Sequence, residues 1–121
     1  YIIIGMSLFN VVEDHINPYL SLDERFVKNR HSTFFFRAKS EAMAPLITIG
    51  DTLIVDRSLP ALPNMIVIAS INGELICRRL KKIKHRLTLC ADHPDHPPIS
   101  IQETEEGVVW GVVRSSVREL I

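Results

Sequence analysis

Apolar and polar residues fall into two regimes along this chain, and the change comes near residue 34. Residues 1–33 mix the two kinds with no sustained period and carry Pro18, the pattern of an arm laid against a domain. From Phe34 onward, short apolar and β-branched runs alternate with turn residues. This pattern predicts strands over Phe34–Lys39, Thr52–Asp56, Met65–Ser70, Glu74–Lys82, Arg86–Ala91, Ile99–Ile101 and Val108–Val117. Asn72-Gly73 is the strongest hairpin signal, because both central residues of a type I′ turn need positive φ and these two types tolerate it. Gly50-Asp51 marks a further turn, and a tight turn near Lys84 returns the chain into the Arg86–Ala91 strand. Glu41–Leu46 reads as a short helical turn ending near Pro45, while Ser58–Asn64 and Asp92–Pro98 are proline-bearing loops. The expected fold is therefore mostly β: an arm over 1–33, and a domain over 34–121 built of several short antiparallel strands and one short helical turn.

Composition narrows the picture. With 121 residues and 46% apolar content, the chain is long enough for one domain. A domain of that size buries about two-thirds of its unfolded surface. Fourteen basic and 14 acidic residues give a formal net charge of zero, so no strong direct DNA binding is expected from overall electrostatics. No apolar run reaches the roughly 18 residues needed to span a bilayer. Tyr1-Ile2-Ile3-Ile4 lacks the length and basic flank of a signal peptide. Two cysteines without a secretory signal predict free thiols and a cytoplasmic location. Because the chain opens on Tyr1 rather than Met, a preceding segment is expected.

Three local patterns invite chemistry, and each has a plainer reading. Cys90, Asp92, His93 and His96 lie within seven residues and superficially resemble metal ligands. Pro94, Pro97 and Pro98 make the segment an extended loop, so no metal and no cofactor is expected. Cys77 and Cys90 would face each other across the hairpin if its turn centred near residue 83, as a packed thiol pair rather than a disulfide. The basic run from Arg78 to Arg86 divides between two faces of a strand-turn-strand and reads as a solvated or partner-facing edge. Along that strand Ile76, Arg78 and Leu80 share one face, and Leu75, Cys77 and Arg79 the other. An arginine between two apolar neighbours either meets a carboxylate in a cleft or carries its head out to water. Phe34-Phe35-Phe36 is core, with one of the three turned away.

The stretch Phe34 to Leu80 closely resembles the self-cleaving serine peptidase domain shared by UmuD, the LexA repressor and phage repressors. That family places its nucleophile just before a methionine, in a pattern like S-G-D-S-M; here the five residues are Lys39, Ser40, Glu41, Ala42 and Met43. Its lysine base lies on the second strand of a hairpin, in a pattern like G-E-F-T-V-K; here the strand reads Gly73, Glu74, Leu75, Ile76, Cys77, Arg78. The resemblance extends over Leu22 to Ile121, with a second strong stretch at Val109–Val113. It thus assigns the nucleophile position to Ala42 and the general-base position to Arg78, with the chemistry of both lost. Alanine has no hydroxyl to form an acyl-enzyme. Arginine keeps its proton, since its pKa stays above about 12. Ser40 falls on a different face of its turn, where it caps the turn, and Lys81 faces opposite to position 78, so neither restores a dyad.

By resemblance, the short arm points to UmuD rather than LexA. It implies a homodimeric accessory subunit of an error-prone DNA polymerase in SOS translesion synthesis, with the polymerase catalytic subunit and the RecA filament as partners. The family cuts its own arm at Ala-Gly or Cys-Gly, and neither dipeptide occurs here. Two other readings stay open: the dimerisation half of a LexA- or phage-type repressor, and an inactivated mutant of an active self-cleaving peptidase.

Overall fold

The computed structural model describes residues 31–101 and 108–121, with the backbone of residues 3 and 4. Eight strands form one antiparallel sheet: β1 (Ile3–Ile4), β2 (Thr33–Ala38), β3 (Thr52–Asp56), β4 (Ile66–Ile71), β5 (Glu74–Ile83), β6 (Arg86–Cys90), β7 (Ile99–Ser100) and β8 (Val109–Val117). Their order across the sheet is β1-β2-β3-β8-β4-β5-β6-β7. β3 and β4 are consecutive in the chain yet do not pair, because β8 inserts between them and is hydrogen-bonded to both. Every strand expected from residue 33 onward is present, with ends displaced by one residue at most. Of the expected arm, β1 pairs with β2 through Ile3↔Ala38 and Ile4↔Arg37; residues 5–30 lie outside the described residues.

Strand alternation makes the sheet two-sided. On one face Phe36, Leu53, Val55, Ile68 and Cys77 pack beneath Met43 and Ile47. On the other, Val67, Ala69, Ile76, Leu80, Leu89 and Val112 pack with Ile101. The division of β5 into an Ile76–Leu80 face and a Leu75–Cys77 face is the one expected from the pattern. Phe34 and Phe36 share a face and meet the Trp110 ring edge-on, each with centroids 5.2 Å away. Each fully buried Val or Leu in such a core contributes about 1.5–3 kcal/mol relative to exposure.

Two expectations are corrected and one open alternative is narrowed. Glu41–Leu46 is a run of turns, not a helical turn: the Ala44 N–H donates to the Glu41 carbonyl and the Ile47 N–H to the Met43 carbonyl, and no helix continues from them. Pro45 has no N–H to continue a helical ladder and restricts the residue before it. The cysteines do not face each other. The β5–β6 register pairs Arg79 with Cys90, which leaves Cys77 two residues out of step, and both thiols are free. The turn between them falls at Lys84-His85, both with positive φ (50° and 66°), one residue beyond the position that would have aligned the pair. Of the two readings left open for Arg78, the structure favours the buried one, since the residue is 5% exposed.

Two buried carboxylates tie loops to the sheet. Asp51, 1% exposed, accepts Arg118 Nε (2.8 Å) and Nη2 (2.9 Å) as well as the Thr48 N–H (2.9 Å). The Arg118 hydrogen bonds outweigh desolvation and hold the Asp51 carboxyl below the usual carboxylate range. Asp56 is opposed first by desolvation, but bonds from the Ser58 hydroxyl, the Ser58 N–H and Ser32 together lower it as well. Both folded-state values lie below the ordinary 3.8, so the stabilisation is full above that value and is lost as pH falls through the lowered ones. Urea unfolding between pH 7 and 3 should find Asp51→Asn less stable than wild type at pH 7, with the difference shrinking below about pH 4.

Gly111 fixes the central junction. It pairs with Ile68 where the β4–β8 register shifts, and a Cβ there would lie 2.8 Å from Val55 Cγ1 and 3.3 Å from Arg57 Cγ. Val55 is fully buried and has nowhere to move. Gly111→Ala should therefore cost about 1–3 kcal/mol by overpacking, read as a lower urea midpoint with an unchanged slope.

Candidate functional site

Two stretches of chain set the site: the turns after β2 and the middle of β5. After Ala38 the chain leaves the sheet, and the Ala38 N–H still donates to the Asp51 carbonyl at 2.8 Å, so the intervening turns form a closed excursion. Met43 and Ile47 anchor that excursion in the core, which carries Ala42 inward to 1% exposure. The Ala42 N–H donates to Ser40 Oγ at 3.0 Å. Ser40 thus closes a turn locally, as its expected capping role required, although the structure it caps is not helical.

Arg78 lies opposite Val67 on β5, on the same face as Ile76 and Leu80. Its Nη1 donates to the Cys77 carbonyl at 2.8 Å. The cation remains charged at any working pH. Cys77, by contrast, is driven by burial up to about 12, which makes its thiol a poor nucleophile at neutral pH.

The Asp92–Pro98 loop bonds to the first position and lies within electrostatic reach of the second. The His93 N–H donates to the Ala42 carbonyl at 2.9 Å. Burial first, and then the Arg78 cation, hold His96 below the ordinary imidazole range. The two imidazoles meet edge-on with centroids 5.9 Å apart. Residue pattern marks this loop only as a proline-rich connection. A backbone contact such as His93 to Ala42 leaves no mark in residue type, so the pattern carries no signal for it.

The other residues of the suspected metal motif have separate work. Asp92 accepts Arg79 Nε (3.1 Å) and Nη2 (3.0 Å), and His93 Nδ1 accepts the Asp95 N–H at 3.2 Å. Among the described residues no group of three or more His, Cys, Asp or Glu is placed to hold a metal ion. Also among them, no helix is long and apolar enough to cross a membrane.

β1 completes the surroundings. It extends the sheet beside the last residues of β2, just before the excursion that holds Ala42, and it also contacts β5. A short strand of the chain's own N-terminal region thus contacts both β2, which leads into the turns holding Ala42, and β5, which carries Arg78.

Residues 3–114 match the family described as Peptidase S24-like, a span that includes seven of the eight strands and the first part of β8. The chain is 37% identical over 102 residues to Protein MucA of Salmonella typhimurium, covering 83% of this chain and 69% of that protein. It is 28% identical over 107 residues to Protein SamA of Salmonella typhimurium (88% and 74% covered). Against the LexA repressor of Providencia rettgeri it is 29% identical over 112 residues, covering 88% of this chain but about half (54%) of the repressor. With a family match over most of its length and a relative this similar, the chain belongs to the Peptidase S24-like family, the family of LexA and UmuD.

Proposed function

We propose that this chain is a UmuD-like accessory subunit of an error-prone translesion DNA polymerase in SOS mutagenesis, and that it does not cleave itself. The observation that carries the second half is Ala42. A serine–lysine dyad needs a hydroxyl to attack and a desolvated amine of lowered pKa to take its proton. The nucleophile position holds a methyl group, buried and with its N–H engaged by Ser40. The base position holds a guanidinium, which does not give up its proton. Two changes, each sufficient alone, support loss of the reaction. The function then resides in surfaces: a homodimer interface, a patch for the polymerase catalytic subunit, and contacts to the RecA filament.

The likeness to MucA and SamA over about seven-tenths of their lengths supports the polymerase-subunit reading. The likeness to LexA repressors, whose length this chain spans only by half, favours a second one: the dimerisation half of a repressor. Co-purification with the cognate error-prone polymerase catalytic subunit, with mass from light scattering, separates them. The expected result is a stable complex holding two copies of this chain. A dimer that ignores the polymerase would sink the first reading in favour of the second.

Silence of the site is tested with a fluorophosphonate probe, which labels activated serines. Wild type and Ala42→Ser should stay at background, because the guanidinium supplies no base. Ala42→Ser combined with Arg78→Lys should label, and intact mass should show wild type unprocessed after prolonged incubation. Labelling of wild type, or a shed N-terminal fragment, would contradict the proposal.

A further inference from the structure

The far end of the β5–β6 hairpin is unlike the rest of a molecule whose charges balance. No acidic residue lies between Glu74 and Asp92. Lys81, Lys82, Lys84 and Arg86 fall within six residues, and every residue from 81 to 87 is exposed. Among the described residues none of these four cations has an ion pair; Arg79, nearer the body of the sheet, is the one held by Asp92. Four unpaired cations thus stand together at the end of one two-stranded ribbon, among residues that are all exposed.

The register shows how it is arranged. Lys81 pairs with Thr88, Lys82 with Leu87, and Ile83 with Arg86. Alternation then puts Lys81 and Arg86 on one face with Ile83, and Lys82 on the other with Leu87. Lys84 and His85 form the apex at φ 50° and 66°. Ile83 and Leu87 are 45% and 39% exposed, each beside cations.

We infer that this hairpin end is a sequence-independent contact for duplex DNA, entering a groove so that its cations meet phosphates on both sides. Charge on both faces fits an occupant with anionic walls on two sides, whereas a flat anionic surface would engage only one face. A membrane-inserting hairpin leads with apolar residues, while this one leads with Lys84 and His85. The B-form major groove, roughly 12 Å wide, admits a two-stranded ribbon, while the A-form RNA major groove is deep and narrow. Lysines and one arginine, with no Asn or Gln among residues 81–87, supply phosphate attraction rather than base readout. Net neutrality keeps the contact weak, with a Kd of about 10⁻⁴ to 10⁻⁶ M expected for non-specific binding. The inference does not depend on the polymerase reading.

The test is fluorescence anisotropy of a labelled mixed-sequence DNA duplex with the full chain across salt concentrations. With three or four phosphate contacts, affinity should fall about a hundredfold between 50 and 200 mM salt. Lys84→Gln should lower the salt slope by about one. Replacing Lys81, Lys82, Lys84 and Arg86 together by Gln should abolish binding. Arg37→Gln with Lys39→Gln, two exposed cations elsewhere, should leave it intact. Circular dichroism and thermal melts confirm that each variant is folded. Absence of binding at 50 mM salt, binding insensitive to the hairpin variants, or hairpin-dependent binding to phosphatidylglycerol vesicles or polyglutamate but not to the duplex would each overturn it.

Discussion

The close approach of β8 to β3 at Gly111 is the constraint on which the sheet depends. β8 is the only strand among those described that pairs with both β3 and β4, so it joins β1-β2-β3 to β4-β5-β6-β7. Both its ladders carry a register shift, between Ile54 and Val55 and between Ile68 and Ala69. Bulges of this kind bend and twist a sheet locally. A side chain at position 111 would meet Val55. Next to it, Trp110 takes the edges of Phe34 and Phe36, while the Arg57 guanidinium lies 4.2 Å from its ring centroid and donates to its carbonyl at 2.8 Å. Glycine where the backbones crowd and tryptophan where the face is open are one arrangement.

Much of this fold was legible in the residue pattern. Period-two alternation located the strands and divided β5 between two cores, and Asn72-Gly73, with φ of 51° and 82°, closes the hairpin it signalled. What was not legible depends on tertiary contact. The turns after β2 have the composition of a short helix, but Pro45 and the burial of Met43 and Ile47 shape them instead. The register of β5 on β6 turned on one residue of turn position, which periodicity does not resolve, and the expected cysteine pairing failed for that reason. The order of strands across the sheet, with β8 inside, is also silent in local pattern, since it is decided by which apolar faces cover one another.

The candidate site obeys the same division. Its two positions were named by motif, and the structure adds their common neighbour, the loop that bonds to Ala42 through His93 and brings His96 under the influence of Arg78. Motif spacing identifies residues that act on a substrate. It is blind to a loop whose contribution is a backbone N–H. For Arg78, on the face of β5 shared by Ile76 and Leu80, the pattern left a cleft and a solvated head equally open, and only tertiary burial decides between them.

The insertion of β8 also has a consequence for how the molecule is made. β3 and β4 emerge from the ribosome well before residues 109–117, and until β8 arrives each presents an unpaired edge. Those edges carry the apolar runs Leu53-Ile54-Val55 and Ile66-Val67-Ile68-Ala69. Exposed ladders of that kind are templates for pairing with another chain. The nascent protein therefore passes through an interval in which its future centre is an open edge, and closure waits on contacts of long sequence separation, which form slowly.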